Sequence, residues 1–197
     1  MAETGALHID IERLLGRLNA LGQVGAVKGG GVCRLALSDA EGQGRDLVVR
    51  WMREQGLTVA IDQIGNVWGT RPGTEDLPPI MMGSHIDTVA TGGIYDGNLG
   101  VLAGLEVLQV LDDAGVQTRR PIEVGFFTNE EGARFSPDMM GSSVHQGSLA
   151  LDVALAQEDT DGVTVGEALR AIGYVGDHEV GSFRAHSFLE LHIEQGP

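Results

Sequence analysis

Residues 79–111, PIMMGSHIDTVATGGIYDGNLGVLAGLEVLQVL, hold an apolar strand, a polar turn and an apolar helix in direct succession. Residues 79–83 have the pattern of a buried strand. Residues 99–111 are apolar on nearly every side, which predicts a helix buried against a sheet. Three polar residues, His85, Asp87 and Asp96, lie between these two elements. Because open α/β sheets bind their ligands where strands end, this stretch predicts a fold class and also the place of a site.

Helical and extended patterns alternate along the rest of the chain. The residue patterns predict helices over residues 9–21, 38–56, 99–111 and 139–171, with Ser38 as an N-cap and a break at 159–162. They predict strands over residues 57–61, 66–69, 79–83, 121–128 and 188–193. Strands separated by helices indicate an α/β fold, and we expect a three-layer sandwich with a mostly parallel mixed sheet.

Composition and charge limit what kind of protein this is. The 197 residues are 42% hydrophobic and 21% charged, a composition typical of one globular core. A net charge of -15 argues against binding to a phosphate backbone or to an anionic membrane surface, so we expect no nucleic acid and no membrane partner. With one cysteine, Cys33, and no signal-like or long apolar segment, the sequence predicts a cytoplasmic protein.

The polar residues of the opening stretch are candidates for metal binding. His85 and Asp87 are two residues apart in an extended segment, so their side chains share a face and the Asp87 carboxylate can accept the second ring N–H of His85. Asp96 precedes the buried helix, and its two carboxylate oxygens can bridge two cations. Taken alone, each also has a structural explanation: a histidine bound to a nearby aspartate, and a turn residue that caps a helix.

Two more segments carry residues of the same kind. Glu130 and Glu131 follow the strand IEVGFF, and His192 lies in LELHIEQGP near the end of the chain. A hydrolytic metal site needs one carboxylate to bind a cation and another to take a proton from water. Adjacent carboxylates usually belong to a solvated loop, and a lone histidine in a strand is ordinary. Only the combined set indicates a two-metal hydrolase.

Three stretches resemble a known family. GSHIDTVATGGIYDGNLGVLAGLEVL (83–108), FTNEEGARFSPDMMGSSV (127–144) and LELHIEQGP (189–197) are similar to the amidase, hydantoinase and carbamoylase branch of the M20 metallopeptidase clan. This branch includes N-carbamoyl-L-amino-acid hydrolases, β-ureidopropionases and allantoate amidohydrolases. The LHIEQGP stretch separates it from the carboxypeptidase and dipeptidase members of the clan.

The resemblance implies a binuclear metal site. His85, Asp96 and His192 would bind one divalent ion, while Asp96, as a bridge, and Glu131 would bind a second. Imidazole and carboxylate ligands accept Zn, Mn, Co or Ni, so the sequence leaves the metal open.

The resemblance also implies the roles of three other residues. Glu130 would be the general base, Asp87 would orient His85, and Gln195 would hydrogen-bond the ureido or amide group of the substrate. The expected reaction is hydrolysis of a linear amide, an N-carbamoyl-L-amino acid or an allantoate-like ureide, by two-metal activation of water.

Members of this family continue beyond the LHIEQGP strand with an inserted domain and then a further part of the catalytic domain, which supplies a last histidine ligand. Residues 1–197 are therefore expected to be the N-terminal part of a zinc-exopeptidase-like catalytic domain, apparently truncated. The inserted dimerisation or lid domain and the C-terminal part would be absent. The full-length parent is expected to be a homodimer.

Two alternatives stay open at this point. One is a peptidase of the same clan, of the aminoacylase, carboxypeptidase or dipeptidase type, against which LHIEQGP argues. The other is a catalytically incomplete metal-binding fragment, because the second metal would have only Asp96 and Glu131 as protein ligands.

Overall fold

The computed structural model describes residues 7–182 and 184–195. Within these residues, helices and strands alternate much as the sequence patterns predict. The helices are α1 (Ile11–Gln23), α2 (Asp39–Glu54), α3 (Asn98–Asp113), α4 (Met140–Gln146), α5 (Leu151–Leu155) and α6 (Val165–Ala171). The strands are β1 (Thr58–Ile61), β2 (Val67–Arg71), β3 (Ile80–His85), β4 (Ile122–Phe127) and β5 (Ser187–Leu189).

The five strands form one mixed sheet in the order β1-β2-β4-β3-β5. Strand β3 pairs in parallel with β4 and with β5, whereas β2 pairs antiparallel with β1 and with β4. The parallel half exists because α3 carries the chain from β3 back to the start of β4, as a parallel crossover requires. The β1-β2 pair is a hairpin: Asp62 accepts hydrogen bonds from the backbone N–H groups of Ile64 and Asn66 and closes the turn.

Helices cover both faces of the sheet, so the predicted three-layer sandwich is confirmed. On one face, a Cβ at Gly104 of α3 would lie 3.0 Å from Val124, and one at Gly69 would lie 3.1 Å from Met52 of α2. On the other face, His145 of α4 packs against Trp68 and Phe127, with ring centroids 5.7 and 6.1 Å away.

The α3 helix forms the centre of the core. Its side chains Val101, Leu102, Leu105 and Leu108 are fully buried. The close approach of α3 to the sheet depends on Gly104, where any larger side chain would meet Val124 and Met82. The apolar stretch 99–111 is thus buried against the sheet, and this fixes the direction from which the chain leaves the polar turn before it.

Two elements differ from the prediction in extent. The last strand ends at Leu189 instead of reaching Ile193, because its register with β3 stops at the pair Met82 and Leu189. Beyond it, Glu190 contacts β3 through its side chain, accepting a hydrogen bond of 2.6 Å from Ser84. The region predicted as mainly helical over residues 139–171 is three short helices.

A buried acid in the central strand should make folding stability depend on pH. Glu123 is 4% exposed, and burial raises its pKa to about 7, although Thr70 donates a hydrogen bond of 2.8 Å to it. The unfolded chain ionises near the ordinary value of 4.5, so the folded state holds this proton over a wider pH range. The stability that the protonated group contributes is complete below that ordinary value and is lost as pH rises through about 7.

Replacing Glu123 with glutamine should therefore remove this loss. When the pH rises from 5 to 8, the wild type should lose about 2 kcal/mol more of its free energy of unfolding than the variant loses. Urea unfolding of both proteins at the two pH values measures this difference. Equal pH dependence in the two proteins would contradict the assignment.

Candidate metal centre

The predicted site residues converge at one edge of the sheet. His85 is the last residue of β3, the Glu130–Glu131 pair follows β4 by way of Thr128 and Asn129, and His192 follows β5. These three strands are parallel to one another, so their carboxyl ends meet at the same edge. Asp96 reaches this edge from the turn before α3.

Three side chains are arranged as ligands of one cation. His85 Nε2 lies 3.2 Å from His192 Nε2 and 3.6 Å from Asp96 Oδ1, and His192 Nε2 lies 3.4 Å from the same oxygen. Ligand atoms held at about 2.0–2.1 Å from a tetrahedral zinc ion are about 3.3–3.4 Å apart. The triangle therefore has the dimensions of three corners of a metal tetrahedron.

The main chain sets the orientation of the His85 ring. His85 Nδ1 lies 3.0 Å from the backbone carbonyl oxygen of Asp87, to which it can donate, and 3.8 Å from the Asp87 carboxylate. With the proton on Nδ1, Nε2 keeps its lone pair for a metal. The prediction that the Asp87 side chain accepts this N–H is wrong. The sequence showed that His85 and Asp87 point to the same side of an extended segment, but both the carbonyl and the carboxylate of Asp87 can then reach the ring.

The Asp87 carboxylate instead binds the loop after β4. Its two oxygens accept the backbone N–H groups of Glu130 and Glu131 at 3.3 and 3.2 Å. Asp87 is buried, with 1% of its surface exposed. One aspartate thus ties the turn that carries His85 to the loop that carries both glutamates.

Glu130 faces the triangle. Its Oε2 lies 3.2 Å from His85 Nε2, and 28% of its side chain is exposed. Burial raises the pKa of Glu130 and the nearby Asp87 adds to this, while His85 opposes it. Burial lowers the pKa of His85, but the Asp87 and Glu130 carboxylates outweigh it, so the pKa of His85 lies above its usual value.

Glu131 lies outside the three-residue group but close to it. Burial, with added repulsion from Asp96, Asp87 and Glu130, raises the pKa of Glu131 to about 7 although His85 lowers it. Its Oε1 is buried and has no hydrogen-bond partner among the described residues. A buried carboxylate oxygen of this kind needs a proton or a cation nearby.

Asp96 has both of its oxygens engaged at the site. Oδ1 faces the two histidines, while Oδ2 accepts the backbone N–H of Gln195 at 2.6 Å. The N-cap of α3 is Gly97, with no side-chain capping bond, so Asp96 does not cap the helix. Gly97 has a φ of 62°, and a Cβ there would lie 2.4 Å from His85 Nε2. Glycine is therefore required next to Asp96, a requirement that the sequence alone did not indicate.

Gln195 is held against the same turn. Its Oε1 accepts the backbone N–H of Tyr95 at 2.8 Å, and its side chain packs where a Cβ at Gly93 would be. Because Tyr95 uses the amide oxygen, the amide NH₂ is the group of Gln195 best placed to act as a donor.

Two further residues support the site and were not singled out from the sequence. Asn129 has a φ of 51°, and its Nδ2 donates to the backbone oxygens of Phe135 and Pro137, so it shapes the loop after β4. Arg34 is fully buried and contacts the turns on both sides of the site. Asn129 lies within the stretch 127–144, but its backbone acceptors give no sign of its role in the side-chain pattern. Arg34 lies outside the three family-like stretches, and most of its acceptors are backbone oxygens.

The residues present fit a divalent cation. Two imidazole nitrogens and a carboxylate oxygen converge within ligand-to-ligand distances, and two histidine Nε2 atoms face each other, which a shared cation explains. Around them lie further carboxylates and the buried Oε1 of Glu131, which has no hydrogen-bond partner in the described part of the chain. The donor set is typical of Zn, Mn, Co or Ni.

Comparison with known proteins gives one family over half of the chain. Residues 66–166 match the model of peptidase family M28. The chain is 45% identical to an N-carbamoyl-L-amino-acid amidohydrolase of Rhizobium meliloti, over 96% of this chain and 46% of that protein. It is also 37% identical to a ureidoglycolate hydrolase of Arabidopsis thaliana, over 98% of this chain and 42% of the relative.

The solved structures agree with this. An amidase of the hydantoinase/carbamoylase family from Burkholderia multivorans superposes with a TM-score of 0.95 at 48% identity, over 98% of this chain and 47% of that one. The chain spans about half the length of the relatives it matches. Among the described residues, no helix combines the length and apolar character that a membrane crossing needs. The chain therefore belongs to the family that the M28 model describes, with an M20-like fold, and its relatives and solved neighbours assign it to the amidase, hydantoinase and carbamoylase branch that its motifs predict.

Proposed function

We propose that this site is the hydrolytic centre of a metal-dependent amidase that acts on linear C–N bonds other than peptide bonds. The observation that carries the proposal is the triangle of His85, Asp96 and His192, with the Glu130 carboxylate 3.2 Å from one of its corners. Because relatives of this chain are named for N-carbamoyl-L-amino acids and for allantoate, these are the substrates we propose.

His85, Asp96 and His192 would hold one divalent ion, and Asp96 and Glu131 a second. The buried Oε1 of Glu131, which accepts no hydrogen bond from residues 7–182 or 184–195, supports the second position. Bound there, divalent ions would act as Lewis acids that polarise water and the substrate carbonyl. The metals stay open among Zn, Mn, Co and Ni.

Glu130 would carry the proton. Partial burial and neighbouring negative charge favour its protonated form, so it can accept a proton from the attacking water and return it to the leaving nitrogen. Water adds to the carbamoyl carbon, the C–N bond to the amino acid breaks, and the released carbamate gives ammonia and carbon dioxide. The products balance as one amino acid, one ammonia and one carbon dioxide from one water.

Asp87 and Gln195 would assist without taking part in the proton transfer. Asp87 holds the backbone N–H groups of Glu130 and Glu131, which keeps the base and the ligand in register with His85. The amide NH₂ of Gln195 would donate to the carbonyl oxygen of the ureido group.

We further propose that residues 1–197 form the N-terminal part of the catalytic domain of a longer enzyme. The aligned relatives are about twice as long, and the family resemblance implies only Asp96 and Glu131 as ligands of the second ion within residues 1–197. The homodimer and the cytoplasmic location stay predictions from the sequence.

A substrate panel tests the proposed function. The full-length gene product, loaded with Zn²⁺, Mn²⁺ or Co²⁺, should release ammonia from N-carbamoyl-L-amino acids or from allantoate and leave dipeptides intact. Cleavage of dipeptides in place of ureides would favour the peptidase alternative. The isolated 197-residue chain should bind metal with little turnover, and robust Glu130-dependent turnover by that chain would contradict the proposal that its site is incomplete.

A further inference from the structure

A buried arginine joins the two turns that carry the metal ligands. Arg34 has no exposed surface, and its side chain makes four hydrogen bonds. Nε donates to the backbone oxygen of Ile86 at 2.7 Å, between His85 and Asp87. Nη2 donates to Asn98 Oδ1 at 2.7 Å, directly after the turn that carries Asp96.

The same side chain is anchored on the first helix. Nη1 of Arg34 donates to the backbone oxygens of Leu21 and Val24, at 3.0 and 2.8 Å, at the end of α1. Its backbone is also fixed: Arg34 N–H donates to Thr88 Oγ1, and Thr88 N–H donates to the Arg34 oxygen. The guanidinium therefore has a fixed position from which it can hold both turns.

These bonds act on the ligands through the main chain. The Ile86 carbonyl held by the guanidinium lies one peptide before the Asp87 carbonyl, whose oxygen is 3.0 Å from His85 Nδ1, so this bond restrains the segment that orients the His85 ring. The Asn98 N–H donates to the Asp96 carbonyl at 2.6 Å, so fixing Asn98 fixes the backbone of Asp96. His85 and Asp96 form one side of the ligand triangle, 3.6 Å long.

Burying a cation that donates its hydrogen bonds to neutral acceptors costs more free energy of folding than burying an apolar side chain of the same size. Burial lowers the pKa of Arg34 to about 10, with Glu41 and Asp87 opposing the change, so the group is still charged at neutral pH. The neighbouring helix leaves room for it, because a Cβ at Gly44 would lie 2.9 Å from Arg34 Cδ.

We propose that Arg34 is a positioning residue of the metal centre, which sets the separation of His85 and Asp96 by holding the Ile86 carbonyl and the Asn98 side chain. This inference rests on the proposed metal-dependent function. It predicts that loss of the guanidinium lowers the free energy of metal binding by more than it lowers the free energy of unfolding.

Metal titration of three variants of the 197-residue chain tests this. Arg34→Met keeps the bulk and removes the donors, Arg34→Lys keeps the charge with fewer donors, and Arg71→Met is the matched control. Arg71 also donates to a backbone oxygen, that of Val116 at 2.6 Å, but it pairs with Ile122 at the opposite end of the sheet. Co²⁺ affinity and absorption spectrum are recorded for each, with the thermal unfolding of the metal-free proteins as a measure of folding.

Arg34→Met should bind Co²⁺ about 10–100-fold more weakly with an altered absorption spectrum, Arg34→Lys should be intermediate, and Arg71→Met should stay within about twofold of the wild type. Unchanged or tighter binding by a folded Arg34→Met protein would overturn the proposal. If Arg34→Met does not fold, Co²⁺ affinity is measured instead in Arg34→Lys and in Gly44→Ala, whose added methyl group presses on the Arg34 side chain. Weaker Co²⁺ binding by these folded variants supports the proposal, and unchanged or tighter binding overturns it. Absence of Co²⁺ binding by the wild type would instead overturn the proposed function on which this inference rests.

Discussion

Replacing Glu130 with glutamine should lower kcat for N-carbamoyl-amino-acid hydrolysis by about 10²–10⁴-fold, the range expected when a general base is lost. Glutamine has the same shape but cannot accept a proton from water. The backbone N–H of residue 130 still reaches the Asp87 carboxylate, so the loop should keep its position. Because Glu130 is not one of the three converging ligands, Co²⁺ binding should change little.

The measurement is steady-state ammonia release by the full-length gene product, together with Co²⁺ titration of both proteins. Glu190→Gln is the matched control: this carboxylate lies near the same edge of the sheet but accepts a hydrogen bond from Ser84 and has no role in the proposed proton transfer. An unchanged kcat in Glu130→Gln would remove Glu130 from that role. A large fall in kcat in Glu190→Gln would show that removing any negative charge near this edge of the sheet lowers activity.

Replacing Asp96 with asparagine should abolish tight metal binding. Asp96 supplies the only carboxylate of the His85, Asp96 and His192 group, and it is 2% exposed. Asparagine keeps the size of the side chain but loses the negative charge that a divalent ion needs. We expect Co²⁺ affinity to fall by at least about 100-fold, beyond the loss typical of residues that only orient a ligand.

The control for this change is Asp177→Asn. Asp177 also lies beside a histidine, His178 at 3.7 Å, but it is almost completely exposed and far in sequence from the ligand-bearing turns. Isothermal titration of the two variants and the wild type separates the local effect from the effect of net charge. Equal affinities in Asp96→Asn and wild type would exclude Asp96 as a ligand.

The sequence predicted the elements that carry the site, because the signals there are local. An apolar strand, a polar turn and an apolar helix follow one another in residues 79–111, and the structure has β3, the site turn and α3 there. The residue pattern included His192 in the candidate set, and family resemblance gave it the role of a ligand and added Gln195; the structure brings both to Asp96. His192 taken alone is an ordinary strand histidine, and it gained meaning only as a member of the combined set.

What the sequence could not predict depends on contacts between distant segments. Whether His85 donates to the carbonyl or to the carboxylate of Asp87 is decided by the Glu130–Glu131 loop, which occupies the carboxylate. The end of β5 at Leu189 depends on its register with β3. Arg34 bonds mainly to backbone oxygens up to 52 residues away, and such acceptors leave no mark on side-chain patterns.

The most direct test of the metal centre is a crystal structure of the chain grown with Zn²⁺, with anomalous scattering recorded at the zinc edge. We expect an anomalous peak with ligand distances of about 2.0–2.2 Å to the Nε2 atoms of His85 and His192 and to the Asp96 carboxylate. An ordered site with these three side chains in place and no peak among them, or zinc bound at other residues only, would contradict the proposed metal centre.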